Sequence, residues 1–295
     1  MIRGYAPQFG TDLELPLVNL VTRQDVAGLW PWPQFSDDKY SRGVLAVVAG
    51  TAKYPGAGVL VATAALHAGQ SYLRYLGEPA VQNLVLAAAP EVVLGAGQAQ
   101  ALVMGSGFDG QIPEHRAQLG QTWREHQAGG YVLLDAGALA LVGSEIAPHE
   151  RCLLTPHAGE AARLAQQLGH HTTREDIESR PYYWARWLAR ETGATVLLKG
   201  EITVIAAPDG ELFVVTHGTA DLATAGSGDV LAGVVGFLLA STRRHLDLAT
   251  IAAIGAWLHA EAGRLAAPTP SATKIAAAIH PALKRLQLRK RYALR

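Results

Sequence analysis

From residue 44 onward, short runs of branched apolar residues alternate with longer stretches rich in Ala, Leu, Arg and Glu at helical spacing. No other feature constrains the fold as strongly, because parallel strands need crossovers of helical length, and those helices then cover both faces of the sheet. The candidate strands are "VLAVVA" (44–49), "LVLAA" (84–88), "ALVMG" (101–105), "YVLLDA" (131–136), "CLLTP" (152–156) and "TVLLK" (195–199). Two further runs, "ITVIAAP" (202–208) and "ELFVVT" (211–216), flank Asp209 and Gly210 and predict an antiparallel hairpin near the sheet edge. Helices are expected over 56–76, 114–128, 158–168, 174–192, 228–240, 247–266 and 272–288. The fold class is therefore α/β, a central mostly parallel sheet with helices on both faces. Residues 1–38 contain "LWPWPQFSDD" and read as an irregular N-terminal arm; 39–295 read as a single domain.

Overall charge says little about the ligand. The 25 basic residues balance 25 acidic ones, so no long-range field draws the chain to nucleic acid or to an anionic membrane. The C-terminal "LKRLQLRKRYALR" carries six basic residues, but no aromatic and basic stripe extends it, and it reads as a solvated helix face. The single cysteine, Cys152, excludes an internal disulfide framework and a cysteine-based zinc cluster, and fits a reducing cytoplasm. No run reaches about 18 uninterrupted apolar residues, and the start lacks a signal-peptide core. A soluble, unprocessed, cytoplasmic chain is the expectation.

Any ligand must then be sought at the carboxyl ends of the strands, where open α/β sheets bind. "LATAGSGDVL" (222–231) is the sharpest stretch. Gly226 and Gly228 leave backbone N–H groups unshielded, Ser227 adds a hydroxyl, and a helix starting there offers unsatisfied donors and its positive end. Asp229 is either a first-turn residue stabilising its own helix or a reacting group at that anion site. "LLTPHAGEAARL" (153–164) leaves His157 at a strand-to-helix junction, as a donor to a substrate, and Glu160 in the first turn. That pair lacks a second ligand pair, so no metal site is expected on protein side chains. In "VLLKGEIT" (196–203), Lys199 either snorkels to solvent or faces a nucleotide. "GSGFDG" (105–110) fits G-x-G-x-x-G, but Pro113 and polar residues separate it from the next helix, which suits a glycine turn under a flat ligand better than a dinucleotide fingerprint. Asp135 ends a strand, facing a ligand or metal or capping the next helix.

Taken in order, the stretch from Lys39 to Gly77, "VMGSGFD", "VLLDAGALAL", "LLTPHAGEAARL", "LLKGEITVIAAPDGELFV" and "LATAGSGDVLAGVVGFLLA" resemble the ADP/ATP-dependent NAD(P)H-hydrate dehydratases. The likeness runs from Lys39 to at least His259. It implies a ribokinase-like three-layer sandwich and a repair reaction: dehydration of the S epimer of hydrated NADH or NADPH, driven by ADP or ATP with Mg2+, through phosphorylation of the hydroxyl and loss of phosphate. It also implies roles. Asp229 would be the base, also touching substrate; Gly226, Ser227 and Gly228 would hold the phosphoryl group. Lys199, Gly200, Glu201, Ile202, Thr203 and Gly228 would line the adenine nucleotide, and Ala57, Gly107 and His157 would contact the nicotinamide. Many members carry G-P-G-x-G where this chain has "GSGFD", and N-P-G where it has Thr219, Ala220 and Asp221. The family precedent implies a homo-oligomer. Bacterial members are often fused to an epimerase, for which these residues leave no room, so a separate epimerase is expected to serve it. A small-molecule kinase of the same fold, a nucleotide sensor and a dinucleotide-binding dehydrogenase are the rival readings.

Overall fold

The computed structural model describes residues 18–126, 129–241, 246–268 and 270–292, with side chains only to 287. The first 17 residues of the N-terminal arm, and the basic side chains after Gln287, lie outside the described residues. Among the described residues ten strands form one sheet in the order β1-β10-β9-β8-β7-β6-β5-β2-β3-β4. They are β1 (Asn19–Leu20), β2 (Val44–Val48), β3 (Tyr72–Tyr75), β4 (Val93–Leu94), β5 (Ala101–Met104), β6 (Tyr131–Leu134), β7 (Cys152–Leu154), β8 (Thr195–Leu198), β9 (Thr203–Ala206) and β10 (Leu212–Val215). All neighbours are parallel except β9, which runs antiparallel to β8 and β10. The expected hairpin is present, with Gly210 at φ 96 in its turn.

Alternation along each strand sorts two cores. Leu45 and Val47 face α2 (Pro55–Ala68), α8 (Ser227–Ala240), α9 (Leu248–Ala266) and α10 (Ala272–Tyr292), while Ala46 and Val48 face α4 (Pro113–His126), α5 (Ala158–Gln167) and α7 (Pro181–Thr192). Sheet between two helical layers is the three-layer sandwich expected. The Ala-rich α2 is a core helix, its small side chains letting α8 approach closely.

Four expectations are corrected. The segment 84–88 is helical, within α3 (Pro79–Ala88): Pro79 starts the helix, and Val81 and Val85 are buried four apart while Leu84 faces out. The helix expected to run to 76 ends at Ala68, because Gly69 adopts a left-handed cap (φ 117) and Tyr72–Tyr75 then alternates as β3. The span 174–192 is two helices, α6 (Arg174–Ser179) and α7, since Pro181 lacks the N–H to continue the first. Part of the arm is regular. Residues 19–20 pair with β10, and α1 (Arg23–Leu29) starts on a Thr22/Asp25 capping box that sequence reading passed over. Val26 and Trp30, four apart, anchor it, with the Trp30 ring 5.4 Å from Phe237. Among the described residues no helix is long and apolar enough to cross a membrane.

Candidate functional site

The carboxyl ends of five adjacent strands, β8, β7, β6, β5 and β2, carry the polar residues that converge. Helix α8 begins at Ser227 with Gly226 (φ 86) as its N-cap and no side-chain cap. Its own ladder starts with Val230 N–H donating to Gly226, so the N–H groups of Gly228 and Asp229 have no helical acceptor. The left-handed turn is possible because Gly226 lacks a Cβ, which would sit 2.6 Å from Leu60 of α2 and 2.9 Å from Ala272. A Cβ on Gly228 would lie 3.4 Å from Lys199 Nζ, so that ammonium flanks the helix mouth. The Ser227 hydroxyl is turned inward, 3.1 Å from Nε2 of the buried His259 on α9; Ser227 therefore offers the mouth only its backbone.

Lys199 does not reach for solvent. Its Nζ donates to Asp135 Oδ1 at 2.9 Å and lies 3.8 Å from Glu160 Oε2. Asp135 stands at the N-cap position of the 3-10 turn Ala136–Leu141, but its side chain makes no capping bond; its carboxylate instead also accepts from Thr155 Oγ1 and Ser106 Oγ, each at 2.8 Å. Burial pushes the Asp135 carboxyl up, but the ammonium and the two hydroxyls outweigh it and hold the group below the usual carboxylate range. Burial likewise works against the Lys199 charge, and Asp135 and Glu160 reverse it, raising the ammonium above its ordinary value. Asp229 has no such partner among the described residues. Burial, then the nearby Asp135 charge, raise its carboxyl to about 7 against the opposing pull of Lys199. That is the range for a group that takes protons at neutral pH. Burial takes the His259 imidazole down to about 4, so it stays neutral.

His157 and Glu160 make a capping box rather than a metal pair: His157 Nδ1 accepts from Gly159 N–H at 3.0 Å, and Glu160 Oε2 accepts from His157 N–H at 2.8 Å. With Nδ1 accepting, the neutral ring carries its proton on Nε2, a donor at the half-exposed edge. Burial lowers this imidazole's affinity for a second proton, with Glu160 opposing and Lys199 assisting. Among the described residues no group of three or more His, Cys, Asp and Glu is placed to hold a metal ion.

The remaining predicted residues fall into two places. Gly107 (φ 75) abuts Ala57 of α2; a Cβ there would be 2.7 Å from the Ala57 Cβ, and Thr51 Oγ1 donates to the Gly107 carbonyl at 2.9 Å. Gly200, Glu201 and Ile202 form the turn after β8, with Ile202 half-buried and Glu201 exposed, and Thr203 opens β9. The altered loop 218–221 leads into a short 3-10 turn, Ala220–Leu222, whose Leu222 packs on Gly263. Asp135, Thr155, Ser106 and His259 were not among the assigned site residues. Asp135 was singled out at its strand end without a role, and the same signal could have flagged Ser106 and Thr155, since "GSGFD", "LLDA" and "TPHAGE" all follow strands that become neighbours.

The family profile described as NAD(P)H-hydrate dehydratase matches residues 45–285. This chain belongs to the NAD(P)H-hydrate dehydratase family. The ADP-dependent (S)-NAD(P)H-hydrate dehydratase of Neisseria meningitidis is 36% identical, over 75% of this chain and 76% of that protein. The bifunctional NAD(P)H-hydrate repair enzyme Nnr of Mycobacterium leprae is 39% identical, over 88% of this chain and 53% of that protein. Thus the chain spans about half the length of the bifunctional curated relatives it matches. An ADP/ATP-dependent NAD(P)H-hydrate dehydratase from Bacillus subtilis, co-crystallised with ATP and Mg2+, superposes with a TM-score of 0.78 at 25% identity, covering 90% of this chain and 97% of that one. A ribokinase-like superfamily protein from Enterococcus faecalis shares the fold, with a TM-score of 0.80 at 21% identity, covering 94% of this chain and 99% of that one.

Proposed function

We propose that the chain restores NADH and NADPH from the S epimer of their hydrates, using ADP or ATP to phosphorylate the hydroxyl, which then leaves as phosphate. The observation that carries this reading is Asp229, a carboxyl titrating near neutrality at the uncapped N-terminus of α8 beside the Lys199 ammonium. Hydroxide is a poor leaving group and phosphate a better one, and transferring a phosphoryl group requires mainly positioning and charge stabilisation. Asp229 takes the hydroxyl proton as the oxygen attacks the terminal phosphorus of the nucleotide, whose P–O bond to the departing AMP or ADP breaks. The backbone of Gly226, Ser227 and Gly228, with the helix dipole, holds the transferring group. Lys199, Gly200, Glu201, Ile202 and Thr203, with Gly228, line the adenine nucleotide, and Ala57, Gly107 and His157 seat the nicotinamide. Expulsion of phosphate and loss of a ring proton restore the double bond.

Mg2+ commonly accompanies such nucleotides and neutralises phosphate charge. The donor set here fits a cation carried by phosphate oxygens and water rather than a protein cage, because the Asp135 oxygens are already engaged by three donors. The reading also carries a homo-oligomer, which the family resemblance implies, in a reducing cytoplasm, which the single cysteine fits.

Incubation with hydrated NADH, Mg2+ and either ADP or ATP is expected to restore the reduced-nicotinamide absorbance. No recovery with either nucleotide would overturn the proposal, and a stable phosphorylated product would make the chain a kinase. His157→Asn keeps a capping acceptor but removes the Nε2–H donor. It is expected to raise KM for the hydrate about tenfold, the worth of one hydrogen bond, with little change in Tm; steady-state kinetics beside a thermal melt checks both.

A further inference from the structure

Asp135 has no task in the chemistry above, yet it is among the most heavily bonded side chains of the site. It ends β6, between β5 and β7. Its three donors come from three other strand ends: Ser106 after β5, Thr155 after β7 and Lys199 after β8. Four strands thus converge on one carboxylate that is 3% exposed. Such a pair is a weak source of stability, because desolvating both charges offsets much of their attraction, and an apolar pair would fill the space without that cost. What it does achieve is placement. The Lys199 stem is long and flexible, and a free ammonium would sample many positions; here it is fixed against Gly228, at the mouth of α8.

We propose that Asp135 is the positioning residue of this site and Lys199 a catalytic one: Asp135, itself fixed by Ser106 and Thr155, holds the Lys199 ammonium where it meets the transferring phosphoryl group and balances the charge around Asp229. This rests on reading the site as a phosphoryl-transfer centre. The two members of the pair act on the base in opposite directions. The Asp135 charge disfavours ionisation of Asp229, and the Lys199 charge favours it. The other titratable groups nearby are Glu160, 3.8 Å from Lys199, His157, which shares a capping box with Glu160, and His259 behind Ser227. Both imidazoles are held neutral, so the balance lies with the carboxylates and the ammonium.

The test is the sign of two shifts. The Asp229 carboxyl would be titrated by 13C NMR in the ligand-free protein, its resonance assigned by its loss in Asp229→Asn, and the acidic limb of kcat/KM against pH would be recorded with hydrated NADH. Asp135→Asn is expected to move both midpoints down by about one pH unit, and Lys199→Met to move both up by about as much. Lys199→Met should also raise the nucleotide KM more than about tenfold, as loss of a charged phosphate contact does. Lys199→Arg, which keeps the charge, should leave the midpoint near that of the wild type while lowering kcat. Should Lys199→Met fail to fold, Asp135→Asn and Lys199→Arg still decide the matter. Unchanged midpoints in the folded variants, or shifts of the same sign in Asp135→Asn and Lys199→Met, would reduce the network to a structural one and overturn the proposal. The NMR titration needs no turnover: opposite shifts in a protein inactive on the hydrate would sink the proposed function and leave this inference standing, and an active enzyme without shifts would do the reverse.

Discussion

Asp229→Asn is expected to lower kcat by about 10²–10⁴-fold, the range for removing a positioned general base, with nucleotide affinity little changed. Asparagine keeps the shape of the side chain and leaves the backbone donors of α8 in place, so a loss confined to kcat separates the base from the anion site. In the wild type, turnover should fall as pH drops below about 7, because the carboxyl must be ionised to act. The same shift has a stability signature of defined sign. The folded carboxyl keeps its proton up to about 7, whereas an unfolded one releases it near 3.8. Stability from this group is therefore complete below the unfolded value and is lost as pH rises through the folded one. Asp229→Asn carries no such charge, and above pH 7 it should be more stable than the wild type by about 2 kcal/mol, a figure reduced because the carboxyl is partly open to solvent. Stopped-flow or steady-state turnover gives the first effect and denaturant melts at two pH values the second. A near-normal rate would remove Asp229 from the role of base.

The second large effect lies one turn further along the same helix. Gly233 faces α2, and a Cβ there would fall 2.3 Å from the Val61 carbonyl oxygen, 2.8 Å from the Ala64 Cβ and 3.0 Å from the Ala65 nitrogen. Two of those neighbours are backbone atoms and have no rotamer to yield, so the helices must separate. Gly233→Val is expected to cost about 3 kcal/mol, at the upper end for overpacking, and to lower Tm by several degrees. It should also slow turnover, because α2 carries Ala57 and α8 carries Asp229. A thermal melt with kinetics measured well below Tm checks both, and an unchanged Tm would show that α2 and α8 can separate without cost.

How much of this was legible depends on the physics that decides each element. Strands buried on both faces, such as Val44–Val48 and Thr195–Leu198, declare themselves as apolar runs. The run at 84–88 looks the same yet is helical, since periodicity cannot separate a short buried strand from a helix segment; Pro79 was the local sign. Asp229 at a glycine-initiated helix was readable because the cause is local. The Asp135, Ser106, Thr155 and Lys199 network was not, because its members are brought together only by the β5-β6-β7-β8 order, which no single stretch encodes. Likewise, Ser227 offers a hydroxyl on paper, but His259, 32 positions away, claims it.

The pairing of Asn19 and Leu20 with Phe213 and Val214 gives the motif-poor arm a purpose. Without it, β10 would end the sheet with one flank of its backbone donors and acceptors open, a template on which another extended chain could add. Two residues of strand, pinned by a capped helix and a buried tryptophan, close that flank. A fragment trimmed to the motif-bearing residues would keep every reacting group and lose its guard against self-association.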